Sequence, residues 1–186
     1  IRSSHPSPFN INRRRFLQTT SAATALAALP SWGADALDLI HGPPKRVGLI
    51  GAGWYGKSDL WRLIQVAPVE VVAIADPDTK MLAEAVAIAS QRQKSKRRPP
   101  TCADYRQLLK QHPCDLVRIG SPDHWHALHA IAAMEAGADV YLQKPISRDV
   151  REGEAILDAA RRHQRVVQIG TQRKSTPHLF CLRRSS

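Results

Sequence analysis

The chain of 186 residues is poor in cysteine: it has only Cys102, Cys114 and Cys181, none in a C-x-x-C pair and none beside histidine at metal-ligand spacing. A disulfide framework and a zinc site are therefore not expected, no metal is assigned, and the thiols are expected to be buried and inert. The sequence also lacks any uninterrupted apolar run of about 18 residues, the least that a spanning helix needs, so stable membrane insertion is not expected. Ten glycines and thirteen prolines are too few and too irregular for a collagen-like or mucin-like chain. The apolar fraction of 43% is that of an ordinary globular protein, and the length suits one domain with a tail.

Acid is scarce as well, with 16 Asp+Glu against 27 Lys+Arg and a formal charge of +11. The excess is clustered. Residues 1–36 hold four Arg and one Asp, residues 92–98 (RQKSKRR) hold five cations and no acid, and Arg173, Lys174, Arg183 and Arg184 add four near the end. A block such as 92–98 reads as a solvated loop. No recognition motif accompanies it, so nucleic acid is not an expected partner.

The first segment reads as an address and not as part of the fold. Arg13 and Arg14 are followed by one variable residue, then Phe16 and Leu17, then a weakly hydrophobic Ala/Leu/Thr stretch. This resembles the bacterial twin-arginine export signal, with Asn12 and Gln18 departing mildly from the usual flanks. Ala34-Asp35-Ala36 offers an A-x-A-like cleavage site, and the apolar part is too short to span a bilayer. The expected organisation is an export signal over 1–36, a linker over 37–44, one domain over 45–178 and a tail over 179–186.

Beyond Pro43-Pro44, short apolar runs alternate with helical periodicity. Strands are predicted at 46–50 (RVGLI), 69–75 (VEVVAIA), 116–119 (LVRI), 139–142 (DVYL) and 165–169 (RVVQI). Helices are predicted at 57–66, 79–91, 104–110, 126–136 and 148–163, with Asp78 or Thr79 available to cap the second. Parallel strands need crossovers, so the pattern implies an α/β fold, a Rossmann-type doubly wound parallel sheet covered on both faces.

The chemistry gathers where those strands end. Gly51, Gly53 and Gly56 form a G-x-G-x-x-G between the first strand and its helix, and Asp76 closes the next strand 25 positions after Gly51. That context is a dinucleotide-binding fingerprint. Gly51 permits the turn, Gly53 lets the backbone approach a pyrophosphate, Gly56 lets helix and strand pack, and amides around Trp54 and Tyr55 face the phosphates. Asp76 would accept from the adenosine ribose hydroxyls and disfavour a 2′-phosphate. NAD is the expected cofactor, with NADP left open by Lys80 and the basic run. Two further strand ends, Gly120 to His126 (GSPDHWH) and Gln143-Lys144-Pro145, would lie along the crevice of the nicotinamide half.

GAGWYG, ADPD, SPDHWHA, QKP and VQIGTQR in this order resemble the N-terminal domain of the Gfo/Idh/MocA oxidoreductases (glucose-fructose oxidoreductase and inositol 2-dehydrogenase), above all their secreted bacterial members. The resemblance runs from about Lys45 to His178. It implies that Ser121, Pro122, Asp123 and His126 line the cofactor site and that Lys144 contacts the substrate hydroxyl near the hydride-transfer carbon. Gln143 stands where the family has Glu, so an amide replaces a carboxylate beside the cofactor. The implied substrate is a sugar, a polyol or a related compound. The resemblance also implies a second, substrate-binding α/β domain, and the chain as given is expected to lack it, to bind nucleotide and to turn over little or nothing. A homo-oligomer of the full-length form would use that second domain. Other readings are an NAD-dependent glycoside hydrolase working by transient oxidation and a non-catalytic dinucleotide-binding module.

Overall fold

The computed structural model describes residues 42–171. The expected export signal, most of the linker, the tail, Cys181 and the end of the expected domain at 172–178 lie outside the described residues. The chain forms β1 (Lys45–Ile50), α1 (Trp54–Val66), β2 (Val69–Ala75), α2 (Thr79–Arg92), β3 (Thr101–Cys102) and α3 (Tyr105–Gln111). It continues through β4 (Leu116–Ile119), a 3-10 turn (Asp123–Trp125), α4 (His126–Glu135), β5 (Asp139–Gln143), α5 (Val150–His163) and β6 (Val167–Gly170). The six strands make one sheet in the order β3-β2-β1-β4-β5-β6, every pair parallel. This is the doubly wound order, with the reversal between β1 and β4.

The strands are apolar on both sides because both sides are covered. Val47, Leu49, Val71 and Ile74 pack with Leu60 of α1 and with Leu82, Ala85, Val86 and Ala89 of α2. On the other face Ile50, Ala73, Val117, Ile119, Val140 and Leu142 pack with Leu108 of α3, Ala130 and Met134 of α4, and Ile156 and Ala159 of α5. Cys102 and Cys114 are buried and unpaired, and burial pushes the Cys114 thiol up to about 11.

Three differences from the sequence expectation bear on the site. α1 begins at Trp54 and not Lys57, which brings Trp54 and Tyr55 into its first turn. A two-residue strand, β3, follows Pro99-Pro100; it was not expected, because two residues carry no periodicity. The basic run is a loop, as expected, but buried Gln93 anchors it by accepting from Val71 N–H (2.9 Å) and donating to the Arg97 carbonyl (2.7 Å).

The capping pattern is uneven. Asp78, Asp104 and Asp149 each accept backbone N–H groups at the starts of α2, α3 and α5. α1 starts at Gly53 with no side-chain cap. Its N–H groups thus begin, like those of α4, without the side-chain acceptor that α2, α3 and α5 have.

Close backbone packing holds α1 against the sheet. A Cβ on Gly56 would lie 1.9 Å from the Gly51 carbonyl oxygen, and one on Gly120 would lie 2.8 Å from Gly56 Cα. Around Gly53 a Cβ would meet nothing within 4 Å. Urea denaturation should therefore show Gly56→Ala destabilised by at least about 2 kcal/mol through overpacking against backbone. Gly53→Ala should cost about 1 kcal/mol or less, the loss of a tolerant N-cap residue.

Candidate functional site

The strand ends are drawn together by hydrogen bonds that continue past the ladders. Gly51 N–H donates to the Ala75 carbonyl (2.9 Å), Gly120 N–H to the Ile50 carbonyl (2.8 Å) and Asp76 N–H to the Cys102 carbonyl (3.1 Å). The glycine loop, the Asp76 turn and the Ser121 loop therefore share one edge of the sheet. Gly51 sits at φ 87°, and a Cβ there would meet Ser121 N at 2.4 Å, so only glycine serves.

Asp76 is half-buried and already works as a brace. One carboxylate oxygen accepts from Ala52 N–H (2.6 Å) and the other from Asp78 N–H (2.8 Å). Each oxygen keeps further lone-pair capacity toward the cleft that Asp76 lines. That cleft, about 410 Å³, runs from Ile50 and Gly51 past Asp76 to Tyr105, Pro122, Trp125 and His129. Its inner wall is aromatic: the Trp125 and His129 rings stack at 5.4 Å, and Tyr105 lies 4.3 Å from His129. Burial holds the His129 imidazole neutral, its pKa pushed down to about 4, with Nδ1 2.9 Å from the Ser121 hydroxyl.

The other end of the crevice belongs to β4 and β5. The His126 ring is 1% exposed and turned inward, with Nε2 facing the Ser121 carbonyl (2.9 Å) and Nδ1 facing the Pro145 carbonyl (2.6 Å). It joins the 121 and 145 loops from behind. Pro122 and Asp123 are exposed, and Asp123 accepts from His124 N–H (2.9 Å) at the start of the 3-10 turn. Lys144 follows β5, exposed, with Nζ 5.3 Å from the Tyr55 ring centroid. Gln143 is buried; its Nε2 donates to Asp59 (2.8 Å) and its Oε1 accepts Lys144 N–H (2.7 Å).

The structure thus places Gly51, Asp76 and Pro122 in the cleft wall, Gly53, Trp54, Tyr55 and Gly56 in the loop and first turn beside it, Ser121 and exposed Asp123 in the next loop, Lys144 against Tyr55, and His126 and Gln143 buried behind. Reading the sequence missed Tyr105, Trp125 and His129 as cleft walls, and Asp59 and Arg118 behind Gln143. A lone arginine inside the strand LVRI was the available signal for the last pair.

An uncapped helix N-terminus, open space at Gly53 and a carboxylate one strand over together define a dinucleotide site of the Rossmann class. Among the described residues no group of three His, Cys, Asp or Glu could hold a metal, and no helix is long and apolar enough to cross a membrane. Residues 45–171 match the oxidoreductase family, NAD-binding Rossmann fold (GFO_IDH_MocA), over more than half of the chain. The chain belongs to this Gfo/Idh/MocA family. Residues 10–30 match the TAT (twin-arginine translocation) pathway signal sequence, so the chain carries a twin-arginine export address.

Among curated relatives, a glycosyl hydrolase family 109 protein of Shewanella sp. (strain W3-18-1) is 33% identical over 180 residues, 84% of this chain and 38% of its own length. An alpha-N-acetylgalactosaminidase of Shewanella oneidensis is 33% identical over 177 residues, with the same shares. Among solved structures, the WlbA dehydrogenase of Chromobacterium violaceum, in complex with NADH and UDP-GlcNAcA, superposes with a TM-score of 0.70 at 23% identity over 78% of this chain and 40% of that one. The myo-inositol 2-dehydrogenase of Lactobacillus plantarum gives 0.66 at 23% identity, over 76% and 40%. The chain therefore spans about two fifths of the length of these relatives.

His129 makes stability depend on pH. The unfolded histidine takes a proton near 6.5 and the folded one only near 4, so the unfolded state binds more protons between those values. Stability should fall by roughly 3 kcal/mol as pH drops from about 6.5 to about 4, measured by denaturant melts at each pH. His129→Gln should flatten that part of the profile.

Proposed function

We propose that this chain is the cofactor-binding part of an exported NAD-dependent oxidoreductase that acts at a hydroxyl-bearing carbon of a sugar, polyol or related compound. The observation that carries the reading is the position of Lys144: its ammonium stands over Tyr55, in the first turn of the helix that the glycine loop opens. The residue suited to hold a substrate hydroxyl is thereby brought to the dinucleotide edge itself.

The roles follow from chemistry and place. The first-turn amides at Trp54, Tyr55 and Gly56 take the pyrophosphate, with Gly53 leaving room. Asp76 accepts from the ribose hydroxyls, and the aromatic cleft of Tyr105, Trp125 and His129 takes the flat base. Bound NAD supplies the hydride acceptor or donor. Lys144 orients the hydroxyl and assists its proton movement. Ser121, Pro122 and Asp123 border the crevice, and His126 keeps their loop in register with Pro145. Gln143 fixes the Lys144 backbone. A sugar or polyol is the substrate class by kinship with the inositol and nucleotide-sugar dehydrogenases whose fold this chain shares.

A second reading is favoured by the 33% identity to the family 109 glycosyl hydrolases and to the alpha-N-acetylgalactosaminidase. There the same machinery would oxidise a glycoside transiently and return the hydride, with no net redox change.

Titration calorimetry should find that the chain binds NAD, that Asp76→Asn weakens NAD about tenfold or more, and that Lys144→Ala changes it less than about threefold. Absence of NAD binding by the wild type would sink the proposal. Between the two activities, net NADH absorbance with a polyol supports the oxidoreductase. Release of the aglycone from an N-acetylgalactosaminide with no NADH build-up supports the hydrolase.

A further inference from the structure

Behind the Lys144 loop, on the α1 side of the sheet, lies a set of polar side chains bonded to one another. Arg118 projects from the middle of β4 and is 2% exposed. Its guanidinium pairs with Asp59 of α1, lies 4.2 Å from the Tyr141 ring centroid and donates to the Tyr141 carbonyl (3.3 Å). Asp59 Oδ2 also accepts from Gln143 Nε2 (2.8 Å), and Gln143 Oε1 accepts the Lys144 backbone N–H (2.7 Å). The polar links run from β4 through α1 to the end of β5 and reach Lys144 itself.

The side-chain chemistry fits only one arrangement of charge. An amide at 143 donates to a carboxylate and accepts from an N–H at once. A carboxylate at 143 would still accept from Lys144, but it would stand opposite Asp59 at a hydrogen-bond distance, two like charges where the Arg118 guanidinium is paired with one. The charged groups facing this space are Asp59 and Arg62 from α1 and Arg118 from β4, with the Tyr141 phenol from β5, around a cavity of about 340 Å³.

We propose that Asp59 is a positioning residue for Lys144: anchored by Arg118, it orients Gln143, which in turn fixes the Lys144 backbone at the crevice edge. The importance of Lys144 rests on the function proposed above; the way in which it is held does not.

Three variants of the 186-residue chain test this: Gln143→Glu, Asp59→Ala and the exchange Asp59→Asn/Gln143→Glu. Gln143→Glu should lower the thermal midpoint at pH 8 by roughly 5 °C. At pH 5 the loss should be less than half as large, because a carboxyl whose pKa is raised in the folded state gives up stability as pH rises through that pKa. The exchange variant, with one carboxylate restored, should recover most of the loss. Asp59→Ala should speed hydrogen exchange of the Lys144 amide about tenfold or more. The Gly120 amide, bonded to the Ile50 carbonyl, should stay within about twofold.

The proposal is overturned if Gln143→Glu melts like the wild type at both pH values, or if the exchange variant melts no higher than Gln143→Glu at pH 8. Unchanged Lys144 exchange in a folded Asp59→Ala chain overturns it too. If Asp59→Ala does not fold, the other two variants decide. A Lys144→Ala enzyme with full turnover would remove the proposed role of Lys144 and leave the exchange result standing. Failure of the exchange variant with NAD binding intact would do the reverse.

Discussion

The architecture depends on backbone meeting backbone at Gly51, Gly56 and Gly120. Where α1 touches the ends of β1 and β4 there is no space for a single methyl group: the Gly56 position leaves 1.9 Å to a carbonyl oxygen, and Gly120 sits against Gly56. This contact sets how far α1 leans over the sheet, and so where its first turn points. It also brings the Ser121 loop to the glycine loop, because Gly51 can approach Ser121 only without a side chain. One steric constraint thus places both the helix end and the neighbouring loop along the same crevice.

Two of the buried polar groups, Arg118 and His126, flank the segment that carries Lys144. Buried charge is costly unless paired and hydrogen-bonded, and the described residues carry that cost at Arg118 and Asp59, where α1 and β4 face each other. His126 does similar service on the other side, a buried ring between two loop carbonyls. The first ties a strand to a helix, and the second ties two loops to the first residue of α4. Between them they fix both sides of the segment that carries Lys144.

Much of this was legible in the sequence. VEVVAIA, LVRI and DVYL are strands because a parallel sheet covered on both faces demands continuous apolar runs, and the glycine spacing plus Asp76 carries its own geometry. What escaped was non-local or too short. β3 is two residues long. Tyr105 and His129 become neighbours only when α3 and α4 pack, which no spacing along the chain encodes. Asp59 looks like an ordinary surface residue of an amphipathic helix until Arg118, 59 positions later, is seen to need a counter-charge. The Trp54 start of α1 was missed because two aromatics after a glycine turn say little about helix propensity.

The uncapped first turn of α1 has one more consequence. α2 and α5 close their N-termini with side chains of the chain itself; α1 does not, so its first N–H groups are open to an anion. A ligand that completes a helix binds the folded state and not the unfolded one, so it adds to stability by mass action, about 2.7 kcal/mol at a hundredfold excess over its Kd. Twin-arginine export moves chains that have already folded. For a protein with that address, cofactor bound before passage would add its binding free energy to the stability of the state that is carried.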